Sequence, residues 1–335
     1  MSPAWDKFIA EVWYGRHALR FVLIPLSWVF RLVAHLRRAA YQSGLLGVYR
    51  SPVPVIVVGN LTVGGTGKTP LVIWLAQLLR DYGFRPGVIT RGYRGGARHW
   101  PQQVRPDSDV RVVGDEALLI ARRTGLPVAA GPDRAQDIES LIEHSKVNII
   151  VSDDGMQHYA MARDLEIAVL DGVRRLGNGY CLPAGPLREP APRLAEVDLI
   201  VTQGLAGRGE FALRYDAKQV LRVDREMSVP LADFAPKSVH AVAATGNPES
   251  FFKLLRKHGF RITPHAFPDH YQFRRQDFEF GDDAPIVMTE KDAVKCEFLN
   301  DSRMWYVPID IELPAVIESR LRTLLRNLFN GQEAA

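Results

Sequence analysis

The sequence predicts an α/β fold, in which a parallel sheet is flanked by helices, a smaller C-terminal α/β domain follows, and an N-terminal amphipathic helix precedes both. Three observations support this prediction. Apolar strand-like runs alternate with helical patterns from residue 53 to about residue 201, as is typical of parallel sheets with right-handed crossovers. A second α/β pattern begins near residue 236, and an uncharged apolar run lies before residue 50. We therefore expect an N-terminal helical segment at 1–50, a core at 51–204, a linker or hairpin at 205–235 and a smaller domain at 236–335.

The composition is that of a globular protein rather than a disordered one. The chain has 335 residues, of which 47% are hydrophobic and 24% are charged, enough for two domains with a large core. Its two cysteines, Cys181 and Cys296, lie far apart, which predicts no disulfide framework and fits a reducing compartment. Residues 1–50 hold seven Lys/Arg and two Asp/Glu, a net charge of +5, whereas the whole chain has a net charge of +4. The basic charge belongs to the N-terminus, so we expect no nucleic-acid partner.

The apolar run near the N-terminus, Phe21–Phe30, holds ten residues, too few to span a bilayer. No signal-peptide cleavage site follows it closely. From Pro25 onward its apolar residues recur at helical spacing, so we predict an amphipathic helix. Two alternatives remain open: the helix lies on an anionic membrane surface, or its apolar stripe packs on the protein's own core. The basic excess slightly favours the membrane. The stripe contains Leu26, Val29, Phe30, Val33 and Leu36, and the opposite face contains Ser27, Arg31, His35 and Arg38.

A P-loop is predicted where the β-branched strand Val55–Val58 runs into a glycine-rich turn, then Lys68 and Thr69, then a helix from Pro70. The glycines allow backbone N–H groups to curl around phosphate oxygens, and the helix N-terminus adds partial positive charge. Lys68 is suited to neutralise the β- and γ-phosphates, and the Thr69 hydroxyl is suited to hold Mg²⁺. The predicted nucleotide-binding residues are Thr62, Val63, Gly64, Gly65, Thr66, Gly67, Lys68 and Thr69.

The match to the general P-loop pattern is imperfect, because Thr62 stands where that pattern has glycine. One alternative is a glycine-rich turn in some other α/β protein. Another is a partition-type ATPase, but that class has a lysine where this chain has Val63. Residues 289–292, TEKD, resemble the guanine-binding pattern Asn/Thr-Lys-x-Asp, although the lysine comes one place late. We therefore expect ATP rather than GTP.

Two carboxylates, Asp115 and Glu116, follow the run Val110–Val113, which we predict to be a strand. Open α/β sheets bind ligands at the carboxyl ends of their strands. One of the two carboxylates is therefore a candidate base or magnesium-site residue. The alternative is that they cap the helix predicted at Ala117–Thr124, for which Asp and Glu are well suited.

A second pair, Asp153 and Asp154, follows the predicted strand Val147–Val151. An apolar strand that delivers an aspartate at its end is the Walker-B arrangement, which holds the Mg²⁺ bound to ATP phosphates. Turn formation is the alternative, but the upstream P-loop favours the magnesium role. His158 follows closely, and a histidine on its own in this position is more often structural than catalytic.

Three loops carry further candidates. Arg94 lies in a basic glycine-rich loop, and Arg188 lies in the Gly/Pro-rich segment Gly177–Pro190. Each either contacts a phosphate or sugar, or is solvated or paired nearby. His270 follows Asp269 and is either an acid–base group that reaches across a cleft or a solvated histidine. The remaining predicted strands are Val88–Thr90, Pro127–Ala130, Leu165–Leu170, Val197–Val201, Val239–Ala243, Arg261–His265 and Pro285–Thr289, and the remaining helices are Asp133–Ser145 and Glu249–His258.

The chain contains, in this order, VGNLTVGGTGKTP at 58–70, RGYRG at 91–95, VGDEA at 113–117, DDGMQH at 153–158, LPAGPLRE at 182–189, FPDHY at 267–271 and TEKDAVK at 289–295. Together these motifs resemble the tetraacyldisaccharide 4′-kinase family, the lipid A 4′-kinases of Gram-negative bacteria, in which the threonine at position 62 is usual. The resemblance implies a P-loop kinase that transfers the γ-phosphoryl of ATP to the 4′-hydroxyl of tetraacyldisaccharide 1-phosphate. The product is lipid IVA, in lipid A biosynthesis.

The resemblance also implies roles for single residues. Asp115 works with His270 to deprotonate the sugar hydroxyl, and the magnesium and nucleotide set consists of Glu116, Asp153 and Asp154, with Thr69 and Lys68 from the P-loop. The candidate substrate contacts are Arg94, His158 and Arg188.

The implied cofactors are ATP and Mg²⁺, and the implied partners are the lipid A disaccharide precursor and an anionic membrane surface. We expect a monomer, peripheral on the cytoplasmic face of the bacterial inner membrane. The rival class is a membrane-associated P-loop switch or partition-type ATPase, which hydrolyses nucleotide without a lipid acceptor.

Overall fold

A computed structural model describes residues 3–332 of the chain. The strands in chain order are β1 (Val55–Gly59), β2 (Pro86–Thr90), β3 (Gln102–Val104), β4 (Val128–Ala130), β5 (Ile149–Asp153), β6 (Leu165–Asp171), β7 (Leu199–Gln203), β8 (Phe211–Asp216), β9 (Gln219–Arg222), β10 (Ser228–Pro230), β11 (Ser238–Ala243), β12 (Arg261–Ala266), β13 (Ile286–Thr289), β14 (Met304–Val307) and β15 (Asp310–Glu312). The helices are α1 (Pro3–Tyr14), α2 (Leu19–Gln42), α3 (Lys68–Asp81), α4 (Val110–Val113), α5 (Asp115–Thr124), α6 (Arg134–Ser145), α7 (Pro248–Lys257), α8 (Glu290–Ala293) and α9 (Ala315–Gln332). With one exception, described below, every predicted strand is present with its ends shifted by no more than two residues.

The larger sheet has the strand order β15-β8-β7-β6-β1-β5-β2-β4-β3. Its strands from β8 to β4 are parallel, and β15 and β3 are antiparallel edges. Val58 at the end of β1 lies beside Asp153 at the end of β5. Because parallel strands end at the same edge, the predicted P-loop and the aspartates that follow β5 meet there. The predicted parallel α/β sheet is confirmed.

Helices cover both faces of the larger sheet, and its two apolar cores lie between them. On one face, α3 and α5 pack on the strands together with α9, which contributes Ile317, Leu321 and Leu325. On the other face, the core contains Ile138 and Leu141 of α6. Strand β15 also pairs with β8. The chain after residue 309 therefore packs with the larger sheet, although it lies inside the segment 236–335 predicted as a separate domain.

The smaller sheet has the order β10-β9-β14-β13-β11-β12. Its strands β12, β11, β13 and β14 are parallel, and the β9–β10 hairpin pairs antiparallel at one edge. Residues 205–235, predicted as a linker or hairpin, thus contain that hairpin, but they also contain β8 of the larger sheet. A polar segment with short strands carries too few periodic residues to assign it to a sheet from sequence.

The prediction of a strand at Val110–Val113 is wrong, because these residues form the helical turn α4. The side chain of Asp109 accepts the N–H of Arg111 at 2.9 Å and so caps the turn. Strand β3 pairs with β4 at this edge of the sheet instead. A four-residue β-branched run is compatible with either state, and here the local cap and the occupied sheet edge decide it.

Helix α2 begins at Leu19, six residues before the predicted start, and holds Pro25 within it. The side of α2 that packs on the body includes two residues predicted to lie opposite the apolar stripe. Ser27 is buried and donates to the Cys181 carbonyl at 2.7 Å, and Arg38 pairs with Glu196. Two residues of the predicted polar face, Ser27 and Arg38, therefore contact the protein, whereas Arg31 and His35 are exposed.

The predicted apolar stripe of α2 mostly faces outward. Phe30 packs on the core, whereas the exposed fractions of Leu26, Val29, Val33 and Leu36 lie between 57% and 59%. The alternative in which the stripe packs on the protein's own core is thus wrong for those four residues. Among the described residues, α2 is the one helix that is long and apolar enough to cross a membrane by length and composition.

Candidate active site

A cleft of about 930 Å³ lies between the two sheets. The larger sheet contributes the P-loop, the loop after β2, the start of α5 and the end of β5. The smaller sheet contributes residues 245–254, 269–270 and 289–291. Segments that are far apart in sequence therefore face the same space.

The P-loop has the backbone shape that the glycines predict. Gly64 and Gly67 have φ angles of 109° and 84°, which residues with a Cβ rarely adopt. A Cβ on Gly67 would also lie 2.4 Å from the Tyr215 hydroxyl of β8. The loop is anchored where Asn60 donates its side-chain amide to Thr66 Oγ1 at 3.0 Å. Only glycine at position 67 satisfies both the backbone angle and the contact with Tyr215.

Asp154 lies between two cations at the mouth of the P-loop. The Lys68 Nζ is 3.6 Å from Asp154 Oδ1, and the Arg188 guanidinium donates to both Asp154 oxygens at 3.0 and 3.1 Å. Burial by itself raises the pKa of Asp154, but the charges of Lys68 and Arg188 outweigh it and hold that pKa below its ordinary value. Arg188 therefore faces the end of the cleft that is formed by the glycine-rich loop and Lys68. The alternative, in which Arg188 pairs with residues next to Glu189, is not observed.

Asp153 is buried, and its Oδ1 has no hydrogen-bond partner. Burial and then repulsion from Glu116 raise the pKa of Asp153 to about 7. A buried carboxylate oxygen that lacks a hydrogen-bond partner and is repelled by a second carboxylate is unfavourable unless a cation binds between the two groups. Thr69 and Glu116 line the same cleft.

Asp115 and His270, which come from different sheets, form a close pair. The His270 Nδ1 lies 3.0 Å from both carboxylate oxygens of Asp115, and the Glu116 N–H donates to Asp115 Oδ1 at 2.9 Å. Burial alone raises the pKa of Asp115, but the hydrogen bond with His270 and the charge of Lys291 outweigh it and bring the pKa to about 2. His270 lines the cleft and Asp115, which is 5% exposed, lies behind it.

Two lysines near this pair were not among the predicted site residues. Lys291 Nζ lies 3.3 Å from His270 Nε2, and Lys295 Nζ lies 3.8 Å from Asp115 Oδ2. Both lysines lie in the TEKDAVK segment, which is one of the motifs behind the family resemblance. The order of residues in that segment does not by itself assign a role to either lysine. The structure also excludes a guanine-binding role for Asp292, because that residue is fully buried and holds Lys295 at 2.7 Å.

The other predicted residues also line the cleft. Arg94 donates to the His270 carbonyl at 3.2 Å. His158 is partly buried, and burial followed by the charges of Arg134 and Arg163 lowers its pKa to about 4. His158 is therefore a neutral side chain at pH 7, able to hydrogen-bond with a substrate but not to carry charge.

The comparison with known proteins identifies the family of this chain. The family model described as LpxK, tetraacyldisaccharide-1-P 4′-kinase, matches residues 19–326. The chain belongs to this kinase family. It is 51% identical over 322 residues to the tetraacyldisaccharide 4′-kinase of Nitrosococcus oceani, which covers 96% of this chain and 95% of that protein. It is 44% identical to the enzyme of Legionella pneumophila strain Lens, with 91% of this chain and 94% of that protein covered.

A solved structure shows the same fold. The chain matches a crystal structure of the apo form of LpxK from Aquifex aeolicus in complex with ATP, with a TM-score of 0.78 and 29% identity. The match covers 93% of this chain and 99% of that one. The predictions of the family, of an α/β kinase fold and of an enzyme are thereby confirmed.

Proposed function

We propose that this chain transfers the γ-phosphoryl of ATP to the 4′-hydroxyl of tetraacyldisaccharide 1-phosphate and so forms lipid IVA. The observation that carries the proposal is the Asp115–His270 pair, which faces the same cleft as the P-loop. A nucleotide switch needs a P-loop and magnesium ligands, but it has no need of a buried carboxylate–histidine pair across from them. A kinase with a hydroxyl acceptor uses a base at this position, and such a pair can serve as one.

The nucleotide binds through the P-loop, from Thr62 to Thr69. Backbone N–H groups of its glycines surround the phosphates, and Lys68 leaves Asp154 to neutralise the γ-phosphoryl group as it is transferred. The loop before α7, which belongs to the smaller sheet, closes the other side of this site, since Gly246 packs against Gly65. Phosphoryl transfer depends mainly on such positioning and charge neutralisation.

The residues at the end of β5 fit Mg²⁺. Asp153 supplies a buried carboxylate oxygen without a partner, and Thr69, Asp154 and Glu116 present further oxygens to the same cleft. Among the described residues, no three His, Cys, Asp or Glu side chains converge as an all-protein metal site. Such a sparse oxygen set suits Mg²⁺, which keeps several waters and phosphate oxygens. Bound with ATP, Mg²⁺ would neutralise charge on the β- and γ-phosphates.

The acceptor hydroxyl loses its proton to the Asp115–His270 pair. Nε2 of His270, the ring nitrogen turned away from Asp115, accepts the proton, while the hydroxyl oxygen forms a bond to the γ-phosphorus. The bond from that phosphorus to the β–γ bridging oxygen breaks, and ADP leaves with the electron pair. Asp115 stabilises the imidazolium through Nδ1–H. Because the transition state is loose and deprotonation is late, a modest base suffices.

The sugar contacts Arg94 and His158, which both line the cleft. Arg94 is joined to the His270 backbone, so a sugar held there lies beside the base. Neutral His158 provides a hydrogen bond to a hydroxyl group. Arg188, which contacts Asp154 and Gln157, contacts the phosphoryl group rather than the ring.

Helix α2 places the enzyme on the membrane that contains its acceptor. Its outward face is apolar, with Trp28 63% exposed, and basic residues accompany it. This combination is typical of helices that lie in the interface of anionic lipid. Because the opposite face packs on the body through Ser27 and Arg38, the helix lies on the bilayer rather than across it. We propose that the enzyme acts as a monomer at the cytoplasmic face of the inner membrane.

The test is phosphate transfer from γ-labelled ATP to tetraacyldisaccharide 1-phosphate in mixed micelles, with and without the lipid. Labelled lipid should form with the wild-type chain and should be lost in Lys68→Ala, because the transferred phosphate loses its cation. Lys253→Ala, on the exposed face of α7, is the matched control. ATP hydrolysis that does not depend on lipid, with no labelled lipid, would instead support the switch ATPase.

A further inference from the structure

Lys291 lies where the smaller sheet meets the cleft, on a rigid support. Thr289 Oγ1 accepts the Asp292 N–H at 3.2 Å and donates to Asp292 Oδ2 at 2.6 Å. The same carboxylate oxygen accepts the Ala244 N–H at 2.8 Å. Asp292 is fully buried, so the first turn of α8 is held in place and directs Lys291 into the site.

The Lys291 ammonium has three neighbours that accept hydrogen bonds. Its Nζ lies 2.9 Å from Glu116 Oε1, 3.3 Å from Asp269 Oδ1 and 3.3 Å from His270 Nε2. An ammonium group has three protons and no acceptor, so these contacts use its full donor capacity.

The contact with Nε2 determines which ring nitrogen of His270 carries the proton. Because Lys291 can only donate, Nε2 accepts, and the ring proton lies on Nδ1, which is 3.0 Å from both Asp115 oxygens. The other tautomer would direct an N–H group at the ammonium and leave Asp115 facing a lone pair. Tyr93 holds the ring from the side, with 4.9 Å between ring centroids.

We propose that Lys291 is a positioning residue for phosphoryl transfer, which orients the His270 ring so that Nδ1–H faces Asp115 and the Nε2 lone pair is available to an acceptor in the cleft. This inference rests on the proposed role of the Asp115–His270 pair. When an acceptor hydroxyl reaches Nε2, Lys291 keeps its contacts with Glu116 and Asp269. The histidine then meets the hydroxyl in the form that accepts a proton.

The first test is kinetic and uses the full-length chain with Lys291→Met, Lys291→Arg and the exposed control Lys257→Met. Loss of a residue that orients a catalytic group costs about 10–100-fold, so kcat of Lys291→Met should fall by about that factor while KM for ATP changes by less than about threefold. Lys291→Arg should recover part of kcat, because a guanidinium also donates to several acceptors. Wild-type kcat in Lys291→Met would overturn the inference.

A double variant separates this inference from the proposed function. If Lys291 acts through His270, adding Lys291→Met to His270→Gln should cause no further loss of kcat. A further loss of about tenfold or more would show an independent role and overturn the inference. Wild-type kcat in His270→Gln would instead remove the proposed base, whatever Lys291 does.

A spectroscopic measurement excludes a merely structural role. The ¹⁵N resonances of the His270 ring, assigned by their absence in His270→Gln, should show a protonated Nδ1 and an unprotonated Nε2 in the wild-type protein. In Lys291→Met they should shift toward a mixture of both tautomers. Unchanged ring nitrogen shifts in a folded Lys291→Met protein would overturn the inference.

Discussion

The backbone of Gly246, in the loop before α7, lies against the P-loop at Gly65. A Cβ added to Gly246 would lie 2.8 Å from the Gly65 nitrogen. That nitrogen belongs to the loop proposed to surround the ATP phosphates. We therefore infer that the smaller sheet contributes to nucleotide binding through this close backbone contact.

Gly246→Ala should weaken ATP binding. The added methyl group forces either the P-loop or the 245–247 loop to move, and overpacking of this kind costs about 1–3 kcal/mol. We expect KM for ATP to rise by about tenfold, measured at saturating lipid acceptor. Gly47→Ala is the control, because no atom lies within 4 Å of its added Cβ. Equal KM values for the two variants would contradict a role for this contact.

Asp115→Asn and His270→Gln should each lower turnover far more than they lower ATP affinity. General acid–base catalysis contributes about 10²–10⁴-fold, so we expect kcat to fall within that range, while the Kd for ATP, measured by calorimetry, stays within about threefold. The two substitutions together should cost little more than one, because the residues act as a pair. A collapse of ATP affinity in Asp115→Asn would identify Asp115 as a nucleotide ligand instead.

His158 should make folding stability depend on pH. Its pKa is about 4 in the folded protein against an ordinary value of 6.5, so between these values the unfolded chain binds a proton that the folded chain does not. Stability is therefore lost as pH falls from about 6.5 toward 4.

Urea unfolding at pH 7 and pH 5 tests this shift. The wild-type protein should lose on the order of 1 kcal/mol more of its unfolding free energy between these pH values than His158→Gln does, because solvent screens part of the effect at this partly exposed side chain. If both proteins lost the same amount, His158 would not be held neutral by burial.

Charges on the outer face of α2 should release the protein from membranes. The double substitution Val29→Glu and Val33→Glu changes two residues that are each 59% exposed, so the fold should persist. Removal of the whole segment 1–38 would be a poorer test, because Ser27 and Phe30 pack on the body.

Cosedimentation with vesicles that contain anionic lipid measures the effect. The double variant should bind at least about tenfold more weakly, since apolar insertion and attraction to anionic lipid are both reduced. The control carries Phe298→Glu and Val316→Glu, which are 66% and 59% exposed on other surfaces. Equal binding of the two variants would argue against α2 as the membrane contact.

Local sequence patterns were sufficient for the nucleotide end of the site. The strand that ends at Val58, the glycine-rich turn and the aspartates after β5 are encoded by runs of fewer than thirty residues. Their periodicity and turn residues require no knowledge of distant contacts. The register that places Asp153 beside Val58 follows from the parallel sheet itself.

Local patterns failed where a distant contact decides the outcome. The run Val110–Val113 has strand-forming residues, yet Asp109 caps it as a helical turn and β3 occupies the available sheet edge. Helical spacing in α2 identified an apolar stripe correctly, but it could not determine which face of the helix packs on the protein. That orientation depends on Ser27 and its acceptor in Cys181, 154 residues away.

The sequence by itself determined the parallel α/β sheet and predicted a P-loop and a Walker-B strand within it, because each depends on residues that are neighbours along the chain. Only the tertiary structure decided that His270 contacts Asp115 across 155 residues, and that Lys291 contacts the same ring. The physical reason is that hydrogen bonds between two sheets depend on how their cores pack, and periodicity within one element contains no information about that packing.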